Sequence, residues 1–138
     1  MLLAVYGTLR KGCRLNTKLG YNAKYVGEDR IFGYDMYHNG NYPYAIPSSS
    51  EDGNNNSILV EVWDVTTEPA IEVIKLECGA GYELKAVATK YDVVALFEYR
   101  HDTPGLTRIL NGDFVEWCKR WHPDEPNYYN EGNETCEG

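Results

Sequence analysis

Apolar positions along this chain come in short runs, divided by glycine, proline, asparagine and aspartate. Leu2-Leu3-Ala4-Val5-Tyr6 is a continuous apolar run closed by Gly7, the pattern of a buried strand ending in a tight turn. Arg10 to Leu19 is polar with scattered leucines and has room for one short helix. Ala23 to Glu28 and Ile31 to Tyr37 read as strands; the second alternates Ile31, Gly33 and Asp35 against Phe32, Tyr34 and Met36, and Gly27 with Glu28-Asp29 marks the turn between them. Asn39-Gly40-Asn41 is a turn signal. It leads into Tyr42 to Pro47, where two prolines hold an extended path and exclude helix. Ser48 to Asn56 is a polar surface loop, and Ser57 to Val65 alternates Ile58, Val60 and Val62 against Leu59, Glu61 and Trp63, the period of a strand.

The pattern then changes period. Thr67-Glu68-Pro69 predicts a helix start with Thr67 as N-cap and Pro69 in the first turn. The helix runs to about Leu76 and buries Ile71 and Ile74, with Val73 and Leu76 as further candidates. Gly79 breaks it, so Glu77 falls at its exit. Tyr82 to Lys90 and Asp92 to Arg100 read as two strands turning near Tyr91-Asp92. Thr103-Pro104-Gly105 interrupts the sheet, and Asp113 caps a short amphipathic helix from Phe114 to Trp121 with its basic residues at the favourable C-terminal end. Residues 1–121 form one domain in this reading, and 122–138, rich in Pro, Asn, Glu and Gly, an irregular tail.

Composition narrows the functional classes. At 138 residues the chain supports one core, and its formal charge of −8 disfavours nucleic acid and anionic membrane as partners. Met1 to Val5 is too short for a signal-peptide core, and no apolar run reaches membrane-spanning length; the expectation is a cytoplasmic protein. Cys13, Cys78, Cys118 and Cys136 show no Cys-x-x-Cys spacing, and His38, His101 and His122 are dispersed. Neither a metal site, a disulfide framework nor a cofactor is therefore expected. Tyr6-Gly7-Thr8-Leu9-Arg10 is the candidate for chemistry. A strand ending in an aromatic residue, a flexible glycine and a hydroxyl residue can aim consecutive backbone N–H groups at a carboxylate, and Arg10 either adds a charge nearby or sits solvated beyond the strand end.

Tyr6-Gly7-Thr8-Leu9 after the first strand, Ala23-Lys24-Tyr25-Val26-Gly27, Gly40-Asn41-Tyr42-Pro43, and Leu76-Glu77 followed by Gly81-Tyr82 occur in the order of the γ-glutamylcyclotransferase-like superfamily. Over residues 1 to about 120 the chain resembles its compact members, the AIG2-like γ-glutamylaminecyclotransferases and their bacterial relatives. The resemblance implies an α+β fold, a small mixed β-barrel with a few flanking helices and a cavity beside the Tyr-Gly-Thr-Leu loop. It implies that Tyr6, Gly7, Thr8 and Leu9 hold the α-amino and α-carboxylate groups of a glutamyl moiety, with Tyr42 and Tyr82 lining the cavity. It also implies that Glu77 is the acid/base and 5-oxoproline the product. Cys78 stands where glycine or serine is usual and the loop to Tyr82 is short, which makes Glu83 a rival for the catalytic carboxylate. The expected partner is a small γ-glutamyl compound. The alternatives are a non-catalytic module that binds a small ligand in the same cavity, and an acidic interaction protein resting on charge alone.

Overall fold

The N-terminal apolar run lies at the centre of the sheet. In a computed structural model of the protein, which describes residues 1–48, 56–101 and 105–121, β1 (Leu2–Val5) pairs antiparallel with β5 (Ser57–Asp64) and parallel with β7 (Val93–Tyr99). Leu3, Ala4, Ile58, Val60, Val62 and Leu96 are completely enclosed, as expected for strands covered on both faces. The other strands are β2 (Lys24–Phe32), β3 (Tyr34–His38), β4 (Pro43–Pro47), β6 (Tyr82–Ala88) and β8 (Thr107–Ile109). The helices are a 3₁₀ turn at Asn16–Leu19, α1 (Thr67–Gly79) and α2 (Phe114–Trp121). The eight strands form one mixed sheet in the order β2-β5-β1-β7-β4-β3-β8, with β6 on β7. This is the α+β class implied by the resemblance, although the hydrogen-bonded path among the described strands is open rather than closed into a barrel.

One feature of the topology positions the site. β6 pairs with β7 from Val93 to Tyr99, so β1 and β4 must share the opposite edge: β1 meets Ala95 and Leu96, and β4 meets Glu98. The edge passes from one strand to the other at Phe97, where Tyr6 leaves β1. The Tyr6 hydroxyl donates to the Phe97 carbonyl at 2.5 Å and accepts from the Ala45 N–H at 3.1 Å, supplying both backbones with a partner in the split.

Several expectations need correction. β2 is one continuous strand, because its pairing with β5 from Lys24–Asp64 to Phe32–Ser57 runs straight through Glu28-Asp29, and the glycine region is a register shift between Tyr25 and Gly27. β8 carries too few residues to show a period; it exists because β3 offers it an edge. The N-cap of α1 is Thr66 rather than Thr67, without a side-chain cap bond, and the helix continues to Gly79. Its buried residues are Ala70 and Val73, whereas Ile71 and Leu76 are 45% and 46% exposed. With Ala70 and Val73 on the buried face, the helical period carries Ile71 to the outer side. α2 is as read from its pattern, with Asp113 Oδ1 accepting the Glu116 N–H at 3.1 Å. The Ser48–Asn56 loop apart from its ends, the residues at 102–104 and the 122–138 tail lie outside the described residues. Among the described residues no helix is long and apolar enough to cross a membrane.

Candidate active site

The loop after β1 turns its acceptors back into the protein. The Gly7 carbonyl accepts from the Arg10 N–H at 3.0 Å, the Thr8 carbonyl from the Leu15 N–H at 2.9 Å, and the Leu9 carbonyl from Asn16 Nδ2 at 2.8 Å. The N–H groups of Gly7, Thr8 and Leu9 donate to no group among the described residues. A short segment with its carbonyls satisfied and consecutive donors left over has the electrostatic character of an anion cradle. Gly7 shows no positive φ, so glycine's conformational freedom is not what the position requires. Its requirement is space, because a Cβ there would stand 2.6 Å from Pro43 Cγ.

Arg10 corrects a second expectation. Only 5% exposed, it turns away from the loop's open side: Nε donates to Glu61 Oε2 at 3.0 Å and Nη1 to Asp113 Oδ1 at 2.8 Å. Glu61 Oε1 also accepts the Lys11 N–H at 2.7 Å and Trp63 Nε1 at 3.0 Å. Burial alone would loosen the Arg10 proton, but Glu61 and Asp113 outweigh it and move the guanidinium pKa upward. This cluster fastens the loop to β5 and to the start of α2.

Beyond the loop lies a cavity of about 240 Å³. All the expected site residues, Tyr6, Gly7, Thr8, Leu9, Tyr42, Tyr82 and Glu77, line it together with Tyr44, Phe97, Leu15 and Leu76. Two of the tyrosines differ from the simplest expectation, because their hydroxyls are already engaged by backbone. Tyr6 bridges β7 and β4 as described, and Tyr82 donates to the Pro43 carbonyl at 2.6 Å. Burial raises both hydroxyl pKa values, and the nearby Glu77 charge acts in the same direction. They build the wall that a ligand meets. Tyr44 stacks on Tyr82 with centroids 5.6 Å apart, and the residue pattern could have revealed it: in the extended Tyr42-Pro43-Tyr44 segment both tyrosines face one side.

Glu77 reaches the cavity from the last turn of α1. Ala80 and Gly81 follow, and Gly81, at φ +101°, reverses the chain at once so that Tyr82 opens β6 on the same wall. No described group donates to the Glu77 carboxylate or pairs with it. Burial raises its pKa from 4.5 to about 7. Its place at the C-terminal end of the helix dipole opposes ionisation in the same sense. Glu83, the rival carboxylate, does not line the cavity; it is 39% exposed and pairs with Arg100 at 2.8 Å and Lys85 at 3.5 Å. Among the described residues no three His, Cys, Asp or Glu side chains converge as metal ligands would. Cys78 is exposed.

At the split in the mixed sheet, a loop with free donors and a raised carboxyl line one small cavity. The family description "Gamma-glutamyl cyclotransferase, AIG2-like" matches residues 3–119, and the chain belongs to that family. It is 40% identical over 114 residues to PH0828 of Pyrococcus horikoshii, provisionally named a gamma-glutamylcyclotransferase, covering 83% of this chain and 90% of that one. The crystal structure of PH0828, titled as an uncharacterized protein, superposes with a TM-score of 0.75 over 91% of this chain and 98% of its own. YtfP of Escherichia coli, a gamma-glutamylcyclotransferase family protein, is 28% identical over 84% of this chain and 97% of its own, and its solution structure gives a TM-score of 0.67.

Proposed function

We propose that the protein is a γ-glutamylcyclotransferase, converting a γ-glutamyl compound into 5-oxoproline and the free amine. The observation that carries this reading is Glu77: a carboxyl group without a partner among the described residues, raised to about 7, lining the same cavity as a run of free N–H donors. A pocket built only to bind an acidic ligand gains nothing from a buried carboxyl on its wall, which disfavours the non-catalytic alternative.

The substrate carries its own nucleophile. The N–H groups of Gly7, Thr8 and Leu9 hold the glutamyl α-carboxylate, and the cavity folds the chain so that the α-amine meets the γ-carbonyl carbon. Holding such an intramolecular pair in contact is worth effective molarities of about 10⁵–10⁸ M. Ionised Glu77 takes a proton from the α-ammonium group, and the freed amine forms the ring C–N bond. As the tetrahedral centre collapses, the bond to the leaving nitrogen breaks and Glu77 returns the proton to it. The ring nitrogen gives up its remaining excess proton to the same carboxylate, which passes it to the released amine; the amine departs as its ammonium ion and Glu77 is ionised again. A pKa near neutrality suits a group that must accept and donate in one turnover.

The experiment is a panel of γ-glutamyl compounds incubated with the purified protein and assayed for 5-oxoproline. Release from at least one member of the panel, lost in Glu77→Gln, is expected. Tight binding without release from any member would replace the enzyme with the binding module.

A further inference from the structure

The chemistry above uses the glutamyl half of the substrate and leaves the amine half unread. The cavity, at about 240 Å³, is smaller than the roughly 300–1,000 Å³ usual for ligand pockets. A leaving group of more than a few atoms must therefore project past the rim. Tyr42 and Leu76 are the most exposed of the large lining residues and mark that rim, at 39% and 46%.

Arg14 stands at this point. Its guanidinium lies over the Tyr42 ring, with Cζ 5.3 Å from the centroid. The neighbouring Leu15 lines the cavity and anchors the loop through its bond to the Thr8 carbonyl. Arg14 makes no ion pair and no hydrogen bond among the described residues, and its Nε is buried without a partner. This is the opposite of Arg10, four residues earlier, which is held by Glu61 and Asp113. In a chain of net charge −8, a half-buried arginine with no ion pair among the described residues, stacked on a cavity-lining tyrosine, is conspicuous. Stacking on Tyr42 limits its rotamers, and its planar fork matches a carboxylate better than any other common group.

We infer that Arg14 is the specificity residue for the leaving group, reading a carboxylate on it, so that the protein prefers γ-glutamyl amino acids to γ-glutamyl amines lacking that carboxylate. The inference rests on the cyclotransferase reading. The glutamyl carboxylate occupies the donors of Gly7 to Leu9 at the inner end, and the second carboxylate meets Arg14 at the outer end. The two anions of one substrate thus bind at opposite ends of the cavity, and the scissile amide lies between them beside Glu77.

The test compares a matched pair of substrates, γ-glutamyl-alanine and γ-glutamyl-ethylamine, which differ only in the leaving-group carboxylate. Both are assayed for 5-oxoproline with the wild-type protein, Arg14→Gln and Arg14→Lys. The wild type is expected to favour the acid by about 10–100-fold in kcat/KM, mainly through KM, the range of a charge-assisted contact. Added salt should raise KM for the acid and leave the amine unaffected. Arg14→Gln should bring the ratio near one, and Arg14→Lys should recover part of it. A ratio that Arg14→Gln leaves intact overturns the inference while the cyclotransferase reading stands. An equal loss on both substrates also overturns it, showing Arg14 to be structural. No 5-oxoproline from either compound, or from any other γ-glutamyl compound tested, removes the reading on which the inference rests.

Discussion

Two charges near the same loop, the buried Arg10 and the half-buried Glu77, have opposite surroundings. Arg10 is surrounded: Glu61 and Asp113 bind its guanidinium, Glu28 lies 3.7 Å away, and Glu61 is in turn held by Lys11 and Trp63. Glu77 is half-buried with no partner among the described residues, and its pKa rises to about 7. A buried charge that is fully paired becomes part of the scaffold, because removing either partner leaves the other stranded. A buried carboxyl left unpaired destabilises the fold and persists where the chemistry of the site uses it. Sequence position could not separate the two, since Arg10 adjoins the proposed binding loop and Glu77 ends an ordinary helix.

The contrast is open to test by exchange of roles. Glu77→Gln should lower 5-oxoproline turnover by about 10²–10⁴-fold, the usual worth of acid/base assistance, while leaving thermal stability equal or higher. Steady-state kinetics and calorimetry on the same preparation check both halves. Arg10→Ala should do the reverse first: unfolding by denaturant is expected to show a loss of about 3–5 kcal/mol, because Glu61 and Asp113 remain without their cation. A melt unchanged from wild type would mean the cluster contributes nothing.

Gly7→Ala probes the loop between them. Its Cβ meets Pro43 Cγ at 2.6 Å, so either β4 or the loop must shift, at about 1–3 kcal/mol. The expected signature is a raised KM with a smaller change in kcat, read from a substrate titration; an unaltered KM would separate the loop from substrate. Glu83→Gln is the smallest change, since exposed pairs with Arg100 and Lys85 are worth about 0–1 kcal/mol. Turnover should be unchanged in it, and its inactivation would transfer the acid/base role from Glu77.

What the residue pattern disclosed follows from what is local. The Leu2–Tyr6 run, the turn signal around Gly40 and the helices before Gly79 and after Asp113 are encoded within a few residues, and the structure has them, the first helix with shifted ends. The cavity residues were legible for the same reason, since Tyr6 to Leu9 and Glu77 to Tyr82 are compact segments. Long-range partners decided the rest. Pairing with β5 carried β2 across an apparent turn at Glu28-Asp29, and β3 supplied the edge that makes Thr107–Ile109 a strand. Pro43, distant in sequence, is the reason for glycine at position 7, and Glu61 and Asp113 draw Arg10 inward. The engaged hydroxyls of Tyr6 and Tyr82 belong to the same class, because their acceptors lie on strands 91 and 39 residues away.

The sign of the Glu77 effect is fixed by its surroundings. A carboxyl whose pKa rises from 4.5 to about 7 on folding holds its proton more tightly in the folded state, so its contribution to stability is best below pH 4.5 and is lost as the pH climbs to about 7. The most direct measurement is a pH titration of the side-chain carboxyl carbons by ¹³C NMR, with the Glu77 signal assigned by its absence in Glu77→Gln. A midpoint near 7 for Glu77 is the predicted result. A midpoint near 4.5 would contradict the account, because it would leave the cavity without the raised carboxyl on which the chemistry depends.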